Sequence, residues 1–155
     1  VGAGRVLHGH GLRTRLVTVP RAYGGEIAEV LVRRYVCVGC GAVVVVVPAE
    51  LAFGHLYTLS VIASALAAWS HGGLSARQVR SRHSAFRLVG ASARGWPSLV
   101  RWARCSQSLW PRIGPPVEAS PRAAAHALCA KLSAFAPLPS GRVLYDAVAG
   151  AVHAT

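Results

Sequence analysis

Apolar and polar positions follow two different periods along the chain, and the change falls near residue 58. Between residues 13 and 19, "RTRLVTV" alternates charged or polar with apolar residues, and 27–36 is again rich in Val, Ile and Tyr. Alternation with period two gives an extended strand one apolar face, so two strands are expected, joined by a loop around Tyr23, Gly24 and Gly25. A tight turn at 37–41 leads into the valines of 43–47, which end at Pro48 and read as a third, largely buried strand. Residues 1–48 are therefore expected to form a small antiparallel β unit.

Beyond it the period becomes helical. Leu59, Ile62, Leu66 and Trp69 recur at spacings of 3, 4 and 3, with Ser60, Ser64, Ala67 and His71 on the opposite face, which predicts an amphipathic helix ending at Gly72 and Gly73. Ser75 followed by Gln78 forms a capping box for a second helix to about Ala85, with Val79 inward. The two helices and their short turn are like a helix-turn-helix. Pro97 suits a first helical position, and Leu99, Trp102 and Leu109 mark the apolar stripe of a third helix, leaving Arg101, Arg104 and Ser108 on another face. "GPP" at 114–116 breaks the chain, Ser120 and Pro121 start a further helix, and a last one spans about 142–153, alanine-rich enough to pack on a neighbour. The expected class is α+β: a β unit over 1–48, a helix-turn-helix-like helical domain over 49–112, and a C-terminal helical extension over 113–155.

Charge adds a partner to this outline. At 155 residues and 53% hydrophobic the chain must fold, yet it carries 17 basic and 5 acidic residues, a net +12. Such a surplus opposes compaction unless a polyanion meets it, which points to DNA. The basic residues are concentrated: none lies in 35–76, whereas 75–112 holds Arg77, Arg80, Arg82, Arg87, Arg94, Arg101, Arg104 and Arg112 without one acid. A charge run is commonly a solvated helix face, but unbalanced positives on helix-turn-helix-like elements favour phosphate contact. The expected contacts are Arg77, Arg80, Arg82, Arg94, Arg101 and Arg104. Trp69, Trp96, Trp102 and Trp110 read as packing residues.

The cysteines supply the other motif. Cys37 and Cys40, in "CVGCG", form a knuckle whose glycine lets the backbone fold under two thiolates, the usual half of a structural Zn2+ site. Cys105 and Cys129 have no such spacing, and no disulfide framework is implied. His8 and His10 are the nearest further ligands, although their spacing spreads them apart in a strand. The site is incomplete, and Zn2+ is the one cofactor the motif implies. "VGAGRVLHGHG" lacks the layout of a signal peptide, so a reducing cytoplasm is expected.

In order, "RRYVCVGCGAVVVVVPAEL", "YTLSVIASAL", "GGLSARQV" and "SLVRWAR" resemble the zinc-ribbon and helix-turn-helix front end of bacterial insertion-sequence transposases and related uncharacterised proteins. The resemblance covers about residues 1–110. It implies a first CxxC just upstream of "GAGRVLHGHG", with Val1 where its second cysteine would stand, so the first knuckle is truncated or lost. It also implies that the helix with Arg101 and Arg104 enters the DNA groove while the helix from Ser75 braces it.

Catalysis has little support. Two-metal transposition needs three carboxylates on a large ribonuclease-H-like domain, and a chain of this length, with Glu26, Glu29, Glu50, Glu118 and Asp146, has no room for that domain. No G-x-S-x-G elbow accompanies Asp146. The expected protein is a non-catalytic DNA binder, a transposase-derived remnant or small regulator, without a small-molecule substrate. The alternative is a small membrane-associated protein, because 51–69 carries no formal charge and precedes a basic segment; Gly54, His55, Thr58, Ser60 and Ser64 dilute that stretch.

Overall fold

The computed structural model describes residues 6–21, 24–52, 54–86, 95–115, 117–118 and 120–155. Three antiparallel strands come first, β1 (Leu7–Arg21), β2 (Gly24–Cys37) and β3 (Val43–Val46), in the spatial order β1-β2-β3. Among the described residues six helices follow: α1 (Leu59–Ser70), α2 (Ala76–His83), α3 (Pro97–Arg104), the single turn α4 (Ser106–Leu109), α5 (Pro121–Ser133) and α6 (Val143–His153). The chain is therefore α+β, with the β unit preceding the helices. The expected loop residue Tyr23 and the contact residue Arg94 lie outside the described residues, as does Arg87.

Pairing of Val17 with Ala28 and of Arg13 with Val32 fixes which residues share each face of the β1–β2 ladder. One face turns Val17, Val19, Val30, Val32 and Val45 toward Leu51 and Val47, a small apolar cluster separate from the helical core. The ladder shifts register between Gly9 and Leu12, with one more residue on β1 than on β2, which is a β-bulge. β3 differs from its expected burial: Val43, Val44 and Val46 are exposed. A valine run favours extended backbone whatever faces it; among the described residues no layer buries Val44 and Val46 on one face, and the cluster around Val45 on the other does not extend to bury Val43.

α1 is the axis of the helical part. Leu59, Val61, Ile62, Ala63, Ala65, Leu66 and Ala67 are all buried, because β1, α2, α3, α5 and α6 pack around the helix. The expected polar face is thus corrected, since Ser60 and Ala67 are interior as well. Ser60 reaches the carboxylate of Glu50, and Ser70 donates to the Leu66 carbonyl at 2.8 Å, so each hydroxyl is satisfied locally. A central helix explains the uncharged run at 51–69. Among the described residues no helix is long and apolar enough to cross a membrane, and α1, with 12 residues, falls short of the roughly 20 that a span needs.

Caps set the helix starts. Thr58 accepts from the Val61 amide, and Ser120 from the Ala123 amide at 3.1 Å. The capping box forms as expected: Ser75 Oγ accepts from the Gln78 amide at 3.3 Å while Gln78 Oε1 accepts from the Ser75 amide at 2.9 Å. α2 ends at His83, and α3 ends at Arg104, where Cys105 interrupts the expected continuation to Leu109. α5 and α6 close on α1 in one apolar core that runs from Ala52 to Ala154. Gly150 permits that approach, since a Cβ there would strike the carbonyl of Leu132 on α5. Trp110 joins the same core and donates its indole N–H to the Ala151 carbonyl at 2.8 Å.

Candidate nucleic-acid interface

α3 is held by its aromatic underside. Leu99, Trp102 and Ala103 are buried, and Trp102 packs edge-on against Tyr57 and Trp96 with centroid separations of 5.2 and 5.0 Å. With that side committed, Arg101 and Arg104 are both exposed, one helical turn apart. On α2, Val79 is the buried anchor, leaving Arg77 and Arg82 exposed. Arg80 is half-buried and donates to the Gly95 carbonyl at 3.2 Å, which ties α2 to the residues just before α3.

A groove of about 270 Å³ opens beside α3, between His55, Tyr57, Trp96, Arg101 and Trp102. It adjoins a second, of about 370 Å³, that shares His55, Arg101 and Trp102 and extends to Cys105 and Ser108. His55 sits between them. Trp102 donates its indole N–H to His55 Nδ1 at 3.4 Å, which leaves the proton of the neutral ring on Nε2. From the sheet, Arg15 donates to the His55 carbonyl at 2.8 Å. Burial pushes the His55 pKa below its ordinary 6.5, and the positive charges of Arg101 and then Arg15 push it further the same way. Among the described residues no carboxylate is one of the groups that shift it.

Strand alternation sets two further arginines on the sheet face of Arg15. Arg13, Arg15 and Arg34 share the sheet face that also carries Val17 and Val32. Reasoning from sequence missed these three arginines and His55, having confined the basic footprint to 75–112. Alternation of "RTR" at 13–15 placed Arg13 and Arg15 on one face; the approach of Arg15 to His55, beside Arg101, has no local signal.

The knuckle keeps half of a metal geometry. Cys37 is buried and Cys40 exposed, both as free thiols. The Cys37 pKa is lowered from its ordinary value, first by the Cys40 amide, next by the Cys40 side chain and then by the Gly39 amide, against the opposing effect of burial. Such amides would stabilise a metal-bound thiolate. Leu7 pairs with Cys37 and His8 with Val36, so His8 belongs to the opposite face of the ladder from Cys37. Among the described residues no group of three or more His, Cys, Asp or Glu is arranged to hold a metal. The donors present fit two positions of a tetrahedral Zn2+ site.

Cys129 is a packing residue: burial raises its thiol pKa to about 12. Asp146 is likewise structural, its Oδ1 accepting from the Ser140 amide at 2.8 Å and the Ser140 hydroxyl at 2.7 Å. Comparison with protein-family models, curated proteins and solved structures finds no match for the chain.

Proposed function

We propose that this chain is a non-catalytic DNA-binding protein whose arginines on α2 and α3, joined by Arg15 of β1, hold the phosphates of a duplex. The observation that carries the reading is His55 set between Arg101 and Arg15 at the edge of an open groove, with both charges opposing its protonation. Like charges brought together at a surface destabilise the free fold, and phosphate relieves them on binding. The net +12 of the chain acts in the same direction. A transposase-derived remnant or small regulator fits this arrangement, and four free cysteines suit a reducing cytoplasm. Cys37 and Cys40 would supply two ligands to Zn2+, a structural role that would brace the end of the hairpin; DNA contact does not run through the metal.

The test is a titration of duplex DNA at several salt concentrations. If about six arginines engage, log K falls with log salt at a slope of about −5. The double variant Arg101→Ala with Arg104→Ala lowers the slope by about 2, because each neutralised phosphate contributes about one counterion. A slope near zero, or binding untouched by that variant, removes DNA contact from this surface.

A further inference from the structure

The sheet face opposite Val17 and Val32 is apolar, open and patterned about a two-fold point. It carries Leu12, Thr14 and Leu16 on β1 beside Arg33, Leu31 and Glu29 on β2, in directly paired rows. Leu12 is 58% exposed and Leu31 63%, and Ile27, Val44 and Val46 extend the same surface. Monomeric proteins seldom leave so continuous an apolar face uncovered. Among the described residues it is covered only at its Thr18 end, where Thr18 is buried and the His83 carbonyl lies over Gly25; the rows from Leu12 to Leu16 stay open.

Its charges identify the cover. In a chain of net +12, this face pairs one acid, Glu29, with one base, Arg33, so it escapes the general repulsion. Turned over and laid antiparallel on itself about the Thr14–Leu31 row, the face sets Leu12 against the second copy's Leu16 and Glu29 against its Arg33. Leu31 then meets Leu31 on the axis, and Ile27 meets Tyr35. A parallel arrangement would instead oppose Glu29 to Glu29 and Arg33 to Arg33. We infer that this face is a homodimer interface, formed by two copies packing antiparallel through Leu12, Leu16, Glu29, Leu31 and Arg33. Isologous contact requires this self-complementarity, and stacked sheets about 10 Å apart leave room for the Glu29–Arg33 pairs to meet.

The footprint sets the strength. About eight residues on each of β1 and β2 and the 4 of β3, at ~3.4 Å each with strands ~4.8 Å apart, give roughly 330 Å² per copy. That is well below the ~800 Å² per copy of a standard specific interface, so the dimer is weak and dissociates at on the order of 100 µM. The inference does not rest on DNA binding, since it uses the opposite face of the sheet from Arg13 and Arg15.

Sedimentation of the full chain from about 1 to about 300 µM, without DNA, tests it. The wild type passes from monomer to dimer across this range. Glu29→Arg and Arg33→Glu each oppose like charges at both symmetric contacts and weaken the dimer at least ~10-fold. Mixing the two variants restores opposite charges at both contacts, and a heterodimer returns to within about threefold of wild-type affinity. Leu31→Asp places two carboxylates on the axis and leaves a monomer whose thermal unfolding matches the wild type, as expected for an exposed position. A wild type that stays monomeric, single variants that associate as it does, or a mixture no tighter than its components overturns the proposal.

Discussion

Arg15 of β1 donates through its guanidinium to the backbone carbonyl of His55 at 2.8 Å, so a cation of the sheet is fastened to the segment that leads into the helical core. This one bond joins the stability of the hairpin to the placement of the groove. Arg15→Ala is expected to cost about 1.5 to 3 kcal/mol, the range for a hydrogen bond with one charged partner, and to lower the salt slope of DNA binding by about 1. Denaturant unfolding gives the first quantity and the titration the second. A stability loss with an unchanged slope would confine Arg15 to a structural role.

His55 and His83 make the fold sensitive to acid. Burial and then Arg101 and Arg15 hold His55 below 6.5, while burial and then Arg82 hold His83 below it. The unfolded chain therefore takes up protons near pH 6.5 before the folded chain does, and stability falls as pH drops through 6.5 toward the folded values. Thermal unfolding followed from pH 8 to about pH 5 should show a midpoint that declines below 6.5 and declines less in the double variant His55→Gln with His83→Gln. DNA phosphate at the groove favours the charged His55 ring, so binding takes up a proton and strengthens as pH falls, an effect that His55→Gln alone should remove.

Gly150 is required by packing. Its missing Cβ leaves room for the Leu132 carbonyl, and an added methyl must separate α5 from α6. Gly150→Ala raises helix propensity by about 1 kcal/mol and still should destabilise by ~1–3 kcal/mol net, because the clash is with backbone that cannot rotate away. Chemical denaturation measures this directly; a stabilised variant would show that α5 and α6 are not in contact as described.

Ser75→Ala removes the hydroxyl that caps α2 and should cost about 1 kcal/mol, with DNA affinity changed only as far as folding is. Unfolding and binding measured on the same preparation separate the two. Arg77→Ala should do the reverse, leaving stability nearly intact and weakening binding to all sequences alike, as a phosphate contact does.

Cys129 should resist thiol reagents until the chain unfolds, because burial holds its pKa near 12, whereas exposed Cys40 and Cys105 react in the native state. Labelling followed by mass spectrometry distinguishes them. Rapid native modification of Cys129 would show that the α5 packing opens.

The order of a β unit followed by helices was legible because alternation in "RTRLVTV" and the 3-4-3 spacing from Leu59 to Trp69 are local properties of the backbone period. Ser75 with Gln78, Pro97, and Ser120 with Pro121 marked helix starts for the same reason: a cap bonds within its own first turn. The outward turn of Arg101 and Arg104 followed from Leu99 and Trp102 alone.

Burial of α1 on all sides, exposure of the β3 valines and the meeting of Arg15 with Arg101 around His55 were decided by tertiary structure. Period tells which residues share a face and leaves open how many neighbours that face will meet. Ser60 and Ala67 read as a polar side until five elements enclosed α1, and Val44 and Val46 read as core until nothing came to cover them. The basic groove and the self-complementary sheet face arise the same way, since each depends on chain segments far apart in sequence, whose approach is set by the shape of the packed core.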